Sequence, residues 1–143
     1  MSHHVSEDSI AERLKAAGLR PTRQRVALGA LLFRNGDRHV TAEILHDEAI
    51  RDRIPVSLAT VYNTLHQFTE AGLLREVAIE GAKTYFDTNT SNHMHFYFEH
   101  NGELMDIDDL PSPIVAAPEA PEGMEISRID VLVRLVRKRA SSD

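Results

Sequence analysis

The sequence predicts an α+β protein: an N-terminal winged helix-turn-helix domain followed by a small α/β domain. Three observations carry that prediction. Four segments of helical period fill residues 7–72, each bounded by a capping residue, a glycine or a proline. After Gly72 the period changes to short alternating runs around turn dipeptides. The charge changes with it: residues 1–72 hold nine Lys/Arg and nine Asp/Glu, residues 73–127 two against eleven, and residues 128–143 five against two.

Between Glu7 and Ala17, Ile10, Leu14 and Ala17 share one helical face, and Gly18 ends the helix. Leu19-Arg20-Pro21-Thr22 reads as a turn, with Thr22 as N-cap of a second helix that directs Val26, Ala30 and Leu31 inward and stops at Asn35-Gly36. Thr41 caps a third helix over residues 42–52, and Pro55 separates it from a fourth. The fourth runs from the N-cap Ser57 to Gly72 with Leu58, Val61, Leu65 and Phe68 as its apolar stripe. A short turn before the last helix makes this a helix-turn-helix order. Residues 74–79 and 83–86 flank Glu80-Gly81 as a hairpin, the wing. The polar residues 88–92 form a hinge, so the domains are 1–87 and 93–143. In the second domain, strands over 93–99 and 103–107 flank His100-Asn101-Gly102. A two-residue Asn-Gly turn there pairs Tyr97 with Asp106 and His95 with Asp108. Pro111, Pro113, Pro118 and Pro121 exclude a long helix from 111–123. Residues 124–138 return to strand, with Ile129, Val131, Val133 and Leu135 alternating.

The totals remove whole classes of chemistry. The chain of 143 residues has no cysteine, which excludes disulfides, thiolate catalysis, iron–sulfur clusters and cysteine-based zinc sites. His, Asp and Glu remain as the strong metal ligands. No apolar run is long enough to span a bilayer. The N-terminus lacks the basic and then apolar blocks of a signal peptide, so a cytoplasmic protein is expected. The His3-His4 pair is expected to lie in a loose terminus. A net charge of −6 argues weakly against nucleic acid, but the N-terminal half is neutral, and the acidic, histidine-containing middle suits a cation.

Two groups of residues suggest function. The outer face of the fourth helix carries Thr60, Asn63, Thr64 and Gln67, with Tyr62 and His66 at its flanks. Short hydrogen-bonding side chains on a helix suit base edges in a major groove. Ser57 and Thr60 lie near the helix N-terminus, where an anion is favoured, and Asn63 can pair bidentately with adenine. Tyr62 can stack on a thymine methyl and offer its hydroxyl to phosphate. Arg23 and Arg25 are further phosphate candidates or ordinary surface charges. The second group is His93 and His95, two apart on a strand and so on one face, with Asp106 diagonal to His95 in the expected register.

These residues resemble the ferric uptake regulator family of metal-responsive repressors. Gly18-Leu-Arg-Pro-Thr-Arg-Gln-Arg25, His39-Val-Thr-Ala-Glu43, Ala59-Thr-Val-Tyr62 with Gly72-Leu73, and His93-x-His95 followed by Gly102 stand in the family's order and spacing. The resemblance covers about residues 9–138 and is nearest to the family's iron response regulators. Asn63 stands where the family usually has Arg, the cysteines are missing, and the end reads Pro-Glu-Gly-Met-Glu-Ile-Ser-Arg-Ile-Asp130. The resemblance implies a homodimeric or larger transcription factor whose second domain dimerises, with strand pairing by residues 129–135 as the candidate contact. Its fourth helix enters the major groove of A·T-rich promoter DNA, and Arg20 reaches the minor groove. One divalent ion, Mn or Fe with Zn competing, falls to His39, Asp87, His93, His95 and Asp106, joining the domains and fixing their angle. The family's other sites look lost: Phe98 and Asn101 replace thiolates, and Asn92, Met94, Pro113 and Arg128 replace ligands. Iron response regulators bind DNA when iron is scarce and release it on binding haem. Here that points to His93 and His95, with His46 and His66 as a second haem pair.

Two rival readings stand beside it. A manganese-, iron- or zinc-sensing repressor without haem response has the same ion site. A His/carboxylate metalloenzyme also uses His-x-His and an acid on a hairpin, but about four strands are too few to enclose a site, and no nucleophile or general base is recognisable.

Overall fold

The computed structural model describes residues 7–79, 81–91, 94–107 and 118–139, in two compact units that divide between Thr90 and Ser91. The expectations for His3, His4, Glu80, Asn92, His93, Asp108, Pro111 and Pro113 lie outside the described residues.

In the first unit, α1 (Glu7–Ala16), α2 (Arg23–Phe33), β1 (His39–Val40), α3 (Ala42–Arg51), α4 (Leu58–Glu70), β2 (Arg75–Val77) and β3 (Tyr85–Asp87) follow in order. Three side-chain caps start the helices as expected: Thr22, Thr41 and Ser57 accept from the backbone N–H groups of Arg25, Ile44 and Thr60. Each satisfies a donor that the helix itself leaves open. At the end of α4, Gly72 takes a φ of 82°, and the Leu73 N–H reaches the Phe68 carbonyl at 2.9 Å. The four helices bury Ile10, Leu14, Leu28, Leu32, Leu45, Val61, Leu65 and Phe68 in one core with Val40 and Phe86.

Two details depart from the sequence reading. Thr64 is buried instead of facing outward, because it shares the inward stripe with Val61, Leu65 and Phe68. The sheet has three strands, in the order β1-β3-β2, where only the hairpin was expected. Two residues are too few for strand β1 to announce itself by alternation. It is held by Arg38, whose guanidinium makes a two-pronged bond to the Glu48 carboxylate and a third to the Leu31 carbonyl.

Among the described residues the second unit forms another three-stranded sheet: β4 (Met94–Phe98) lies between antiparallel β5 (Glu103–Ile107) and parallel β6 (Leu132–Leu135). Strand β6 is far shorter than the expected run over 124–138, and Ile126 and Ile129 are exposed before it. The β4–β5 turn also corrects the expected register. Phe98 pairs with Glu103, so four residues form the turn, and His95 stands directly opposite Asp106. A two-residue Asn-Gly turn needs left-handed φ at both residues. Only Gly102 adopts it, at 72°, with its N–H on the Phe98 carbonyl.

The close approach of α1 to α2 yields a test. A Cβ on Gly29 would lie 2.8 Å from Cγ2 of the fully buried, β-branched Ile10. Gly29→Ala should gain about 1 kcal/mol of helix propensity yet lose about 1–3 kcal/mol to overpacking. Urea unfolding should therefore show a net loss of stability.

Candidate functional site

Direct cross-strand partners share one face of a sheet. In the first unit the register places His39 and Arg75 on either side of Asp87, in a row across all three strands. Phe86, the neighbour of Asp87 along the strand, faces the opposite way into the helical core. Asp87 is fully buried, and its Oδ1 accepts from the Asn89 N–H at 2.9 Å. Arg75 is buried beside it and supplies positive charge to the same face. The His39 ring stands edge-on to Tyr85, 6.2 Å between centroids, which fixes the imidazole plane. Just beyond, the Thr88 hydroxyl both accepts from the Arg38 N–H and donates to the Arg38 carbonyl, locking β3 against β1.

The second unit repeats the motif. His95 and Asp106 are direct antiparallel partners, with Nε2 3.2 Å from Oδ1, and His95 is only 4% exposed. Each unit thus places one histidine directly opposite one aspartate on neighbouring antiparallel strands. This nitrogen and oxygen donor chemistry fits Mn(II), Fe(II) or Zn(II). Four of the five expected ligands therefore fall into two pairs, one per unit, while His93 lies outside the described residues.

On α4, Tyr62, Asn63, His66 and Gln67 are exposed. The Ser57 hydroxyl donates to Thr60 Oγ1 at 3.0 Å, which leaves the Thr60 proton, not the Ser57 proton, available to an outside acceptor. Arg20 is exposed in the α1–α2 connection, and its carbonyl accepts from Arg25 Nη1 at 2.9 Å. Arg25 also grips Gln67 Oε1 through Nε and Nη2, at 3.3 and 3.1 Å. Arg25 is therefore a clamp between the Arg20 turn and α4 rather than a loose phosphate contact. The amide oxygen of Gln67 is turned to Arg25, so its NH₂ group is the end left to face solvent. His46 is half-buried on α3; the exposed His66 stacks on Tyr62 and meets Phe86 edge-on at 5.5 Å.

The Tyr62 hydroxyl donates to Glu43 Oε1 at 2.9 Å, and the Lys83 ammonium lies 3.9 Å from Glu43 Oε2. The backbone N–H at the start of α3, the Tyr62 hydroxyl and Lys83 together hold the Glu43 carboxyl below its ordinary value, against a smaller opposing effect of burial. The hydrogen bond to Glu43 raises the Tyr62 phenol. Sequence reading gave no role to Glu43, Arg75 or the Arg25–Gln67 clamp, since their partners are remote along the chain. A depressed carboxylate stabilises the fold above its ordinary value of 4.5 and loses that contribution as pH falls through the folded value. Glu43→Gln should accordingly be less stable than the parent at pH 7, with the gap closing on acidification below 4.5. Urea unfolding across a pH series measures it.

Comparison with known proteins bears on family and fold. The model of the ferric uptake regulator family matches residues 16–133. Peroxide-responsive repressor PerR of Staphylococcus aureus (strain Mu50) is 36% identical over 103 residues, covering 72% of this chain and 68% of the relative. Among solved structures, the ferric uptake regulator of Pseudomonas aeruginosa with manganese aligns over 91% of this chain and 98% of its own, with a TM-score of 0.71 and 25% identity. The Vibrio cholerae ferric uptake regulator covers 89% and 98%, with a TM-score of 0.69 at 23% identity, and supports the fold.

Proposed function

The chain belongs to the ferric uptake regulator family, and from that premise we propose that it controls iron homeostasis by binding A·T-rich promoter DNA when iron is scarce and releasing it when haem arrives. As a member it is a metal-responsive transcriptional regulator that binds DNA and forms dimers, and it is not an enzyme. No helix among the described residues is long and apolar enough to cross a membrane. We place its action in the cytoplasm, with the DNA.

The observation that carries the metal reading is the pair of cross-strand His–Asp pairings, His39 opposite Asp87 and His95 opposite Asp106. His39, Asp87, His93, His95 and Asp106 would hold one divalent cation, with Mn(II) or Fe(II) suited to the donors and Zn(II) competing by affinity. An ion bound by all five would tie the two units to a common point, and so would bear on how two recognition helices are presented in the dimer. On DNA, Arg20 takes the minor groove, Thr60 donates to phosphate, Ser57 orients Thr60, and Tyr62 and Asn63 face base edges. Asn63 favours adenine, so Asn63→Arg should shift the selected base toward guanine by about 1–3 kcal/mol, measurable by binding to single-base variants of the selected site.

Haem enters through the resemblance to iron response regulators in the missing cysteines and Asn63. His93 and His95 are its first candidate ligands, His46 and His66 the second pair. Because His95 Nε2 stands against Asp106, ligating haem through that nitrogen and serving the ion with that pair exclude each other. A second reading keeps the ion and drops haem, and the names of the curated relatives favour peroxide as its trigger.

The deciding experiment titrates the Mn(II)-loaded protein, bound to an A·T-rich promoter duplex, with haem, hydrogen peroxide or chelator while DNA release is followed. Haem-driven release that vanishes in a His93→Ala/His95→Ala variant still able to bind DNA is the expected result. Release by chelator or peroxide alone would retire the haem reading and leave a metal-sensing repressor.

Dimerisation finds support in the second unit. One sheet face carries Met94, Phe96, Phe98, Met105, Ile107, Val133 and Leu135, with Met105 48% exposed. A second copy would cover this face. Met105→Asp should therefore weaken the dimer, seen as a rise in monomer fraction by sedimentation, with little change in secondary structure.

A further inference from the structure

We propose that Glu43 is a positioning residue for base reading: it holds the Tyr62 hydroxyl proton, so Tyr62 presents only lone pairs and selects a base carrying an exocyclic amino group. The inference rests on the reading that α4 enters the major groove. It assigns the chemistry that Tyr62 recognises there, and it replaces the expectation of a phosphate contact from that hydroxyl.

The ring of Tyr62 is constrained before any DNA arrives. It stacks on His66, 6.4 Å between centroids and 20° between planes, and His66 stands edge-on to the fully buried Phe86. What remains free is the hydroxyl rotor, whose hydrogen prefers the ring plane. Glu43 decides that rotor. Its Oε1 lies 2.9 Å from the Tyr62 oxygen, and Lys83, from the β2–β3 connection, approaches the other carboxylate oxygen at 3.9 Å. One side chain at the start of α3 therefore touches both the recognition helix and the wing. Serving the helix N-terminus alone would require neither contact.

A phenol has one proton to donate and lone pairs to accept. With the proton spent on an ionised carboxylate, the bond is charge-assisted and outcompetes a neutral acceptor. In the major groove, adenine N6 and cytosine N4 offer hydrogens, whereas thymine O4, guanine O6 and guanine N7 offer lone pairs. A Tyr62 oxygen without a free proton attracts the first set and repels the second. A phosphate oxygen is repelled too, and the negative Glu43 behind the hydroxyl reinforces that repulsion.

The test is selection of bound duplexes from a library with a randomised central segment, using the full chain with Mn(II). The variants are Tyr62→Phe, Glu43→Ala, Glu43→Gln and the double variant Glu43→Ala/Tyr62→Phe, each checked for parental secondary structure by circular dichroism. The parent should favour adenine or cytosine at one position, by about three- to tenfold for a single hydrogen bond. Tyr62→Phe and Glu43→Ala should each flatten that same position, and the double variant should add nothing further, as coupled residues do. Glu43→Gln, which keeps an acceptor oxygen, should retain the preference. Even loss of affinity in Glu43→Ala with base preferences intact would make Glu43 merely structural and overturn the proposal. A preference for guanine or thymine that depends on Tyr62 would overturn it too. If Tyr62→Phe changes no position while the parent still enriches a motif, this inference fails and the regulator reading stands. If the parent enriches no motif, sequence-reading by α4 fails and takes the inference with it.

Discussion

The anchoring of Phe86 in the helical core is the constraint on which the first unit depends. Successive strand residues face opposite ways, so once Phe86 is committed to the core its neighbour Asp87 is committed to the other face. Pairing then brings His39 from one side and Arg75 from the other. A buried carboxylate is expensive unless charge and hydrogen bonds compensate it, and the adjacent Asn89 N–H and the row partner Arg75 supply both kinds of support. Packing of the helices and placement of Asp87 are thus coupled, because the same strand serves both faces.

The core also reaches the exposed polar face of α4 through a chain of rings. Phe86 touches His66, His66 touches Tyr62, and Tyr62 ends at the Glu43 carboxylate. On the other side of α4, Arg25 joins Gln67 to the turn that bears Arg20. The exposed polar groups of the helix are consequently held by packing and by second partners, which lowers the entropy lost when they meet a ligand. With nine cations against nine anions over residues 1–72, attraction to a polyanion falls to placed side chains rather than to a general field.

How much of this was legible depended on the range of the signal. Helix boundaries were, because Thr22, Thr41, Ser57 and Gly72 act on neighbours within the same turn. The strand that bears His95 and the family motifs likewise sit in continuous sequence. What the residues could not announce were contacts made by folding: Glu43 meets Tyr62 across 19 residues, Arg25 meets Gln67 across 42, and Arg38 meets Thr88 across 50. Strand β1 is too short for a period, and Thr64 is polar by type yet buried by position. The His95–Asp106 pairing was missed by two residues because Asn-Gly looked sufficient as a turn, when the chain used four.

That four-residue turn carries an evolutionary consequence. His95 and Asp106 meet only while the number of residues between them preserves the pleat. Lengthening the loop by one residue without a compensating bulge would rotate the carboxylate to the apolar face, stranding a charge where Met105 and Ile107 now point. Descendants of this sequence can exchange the exposed His100 side chain more readily than Glu99 or Asn101, which bond Arg134 and the Glu103 N–H, but they cannot readily change the loop's length. Insertions and deletions should therefore be purged from this hairpin far more strictly than substitutions.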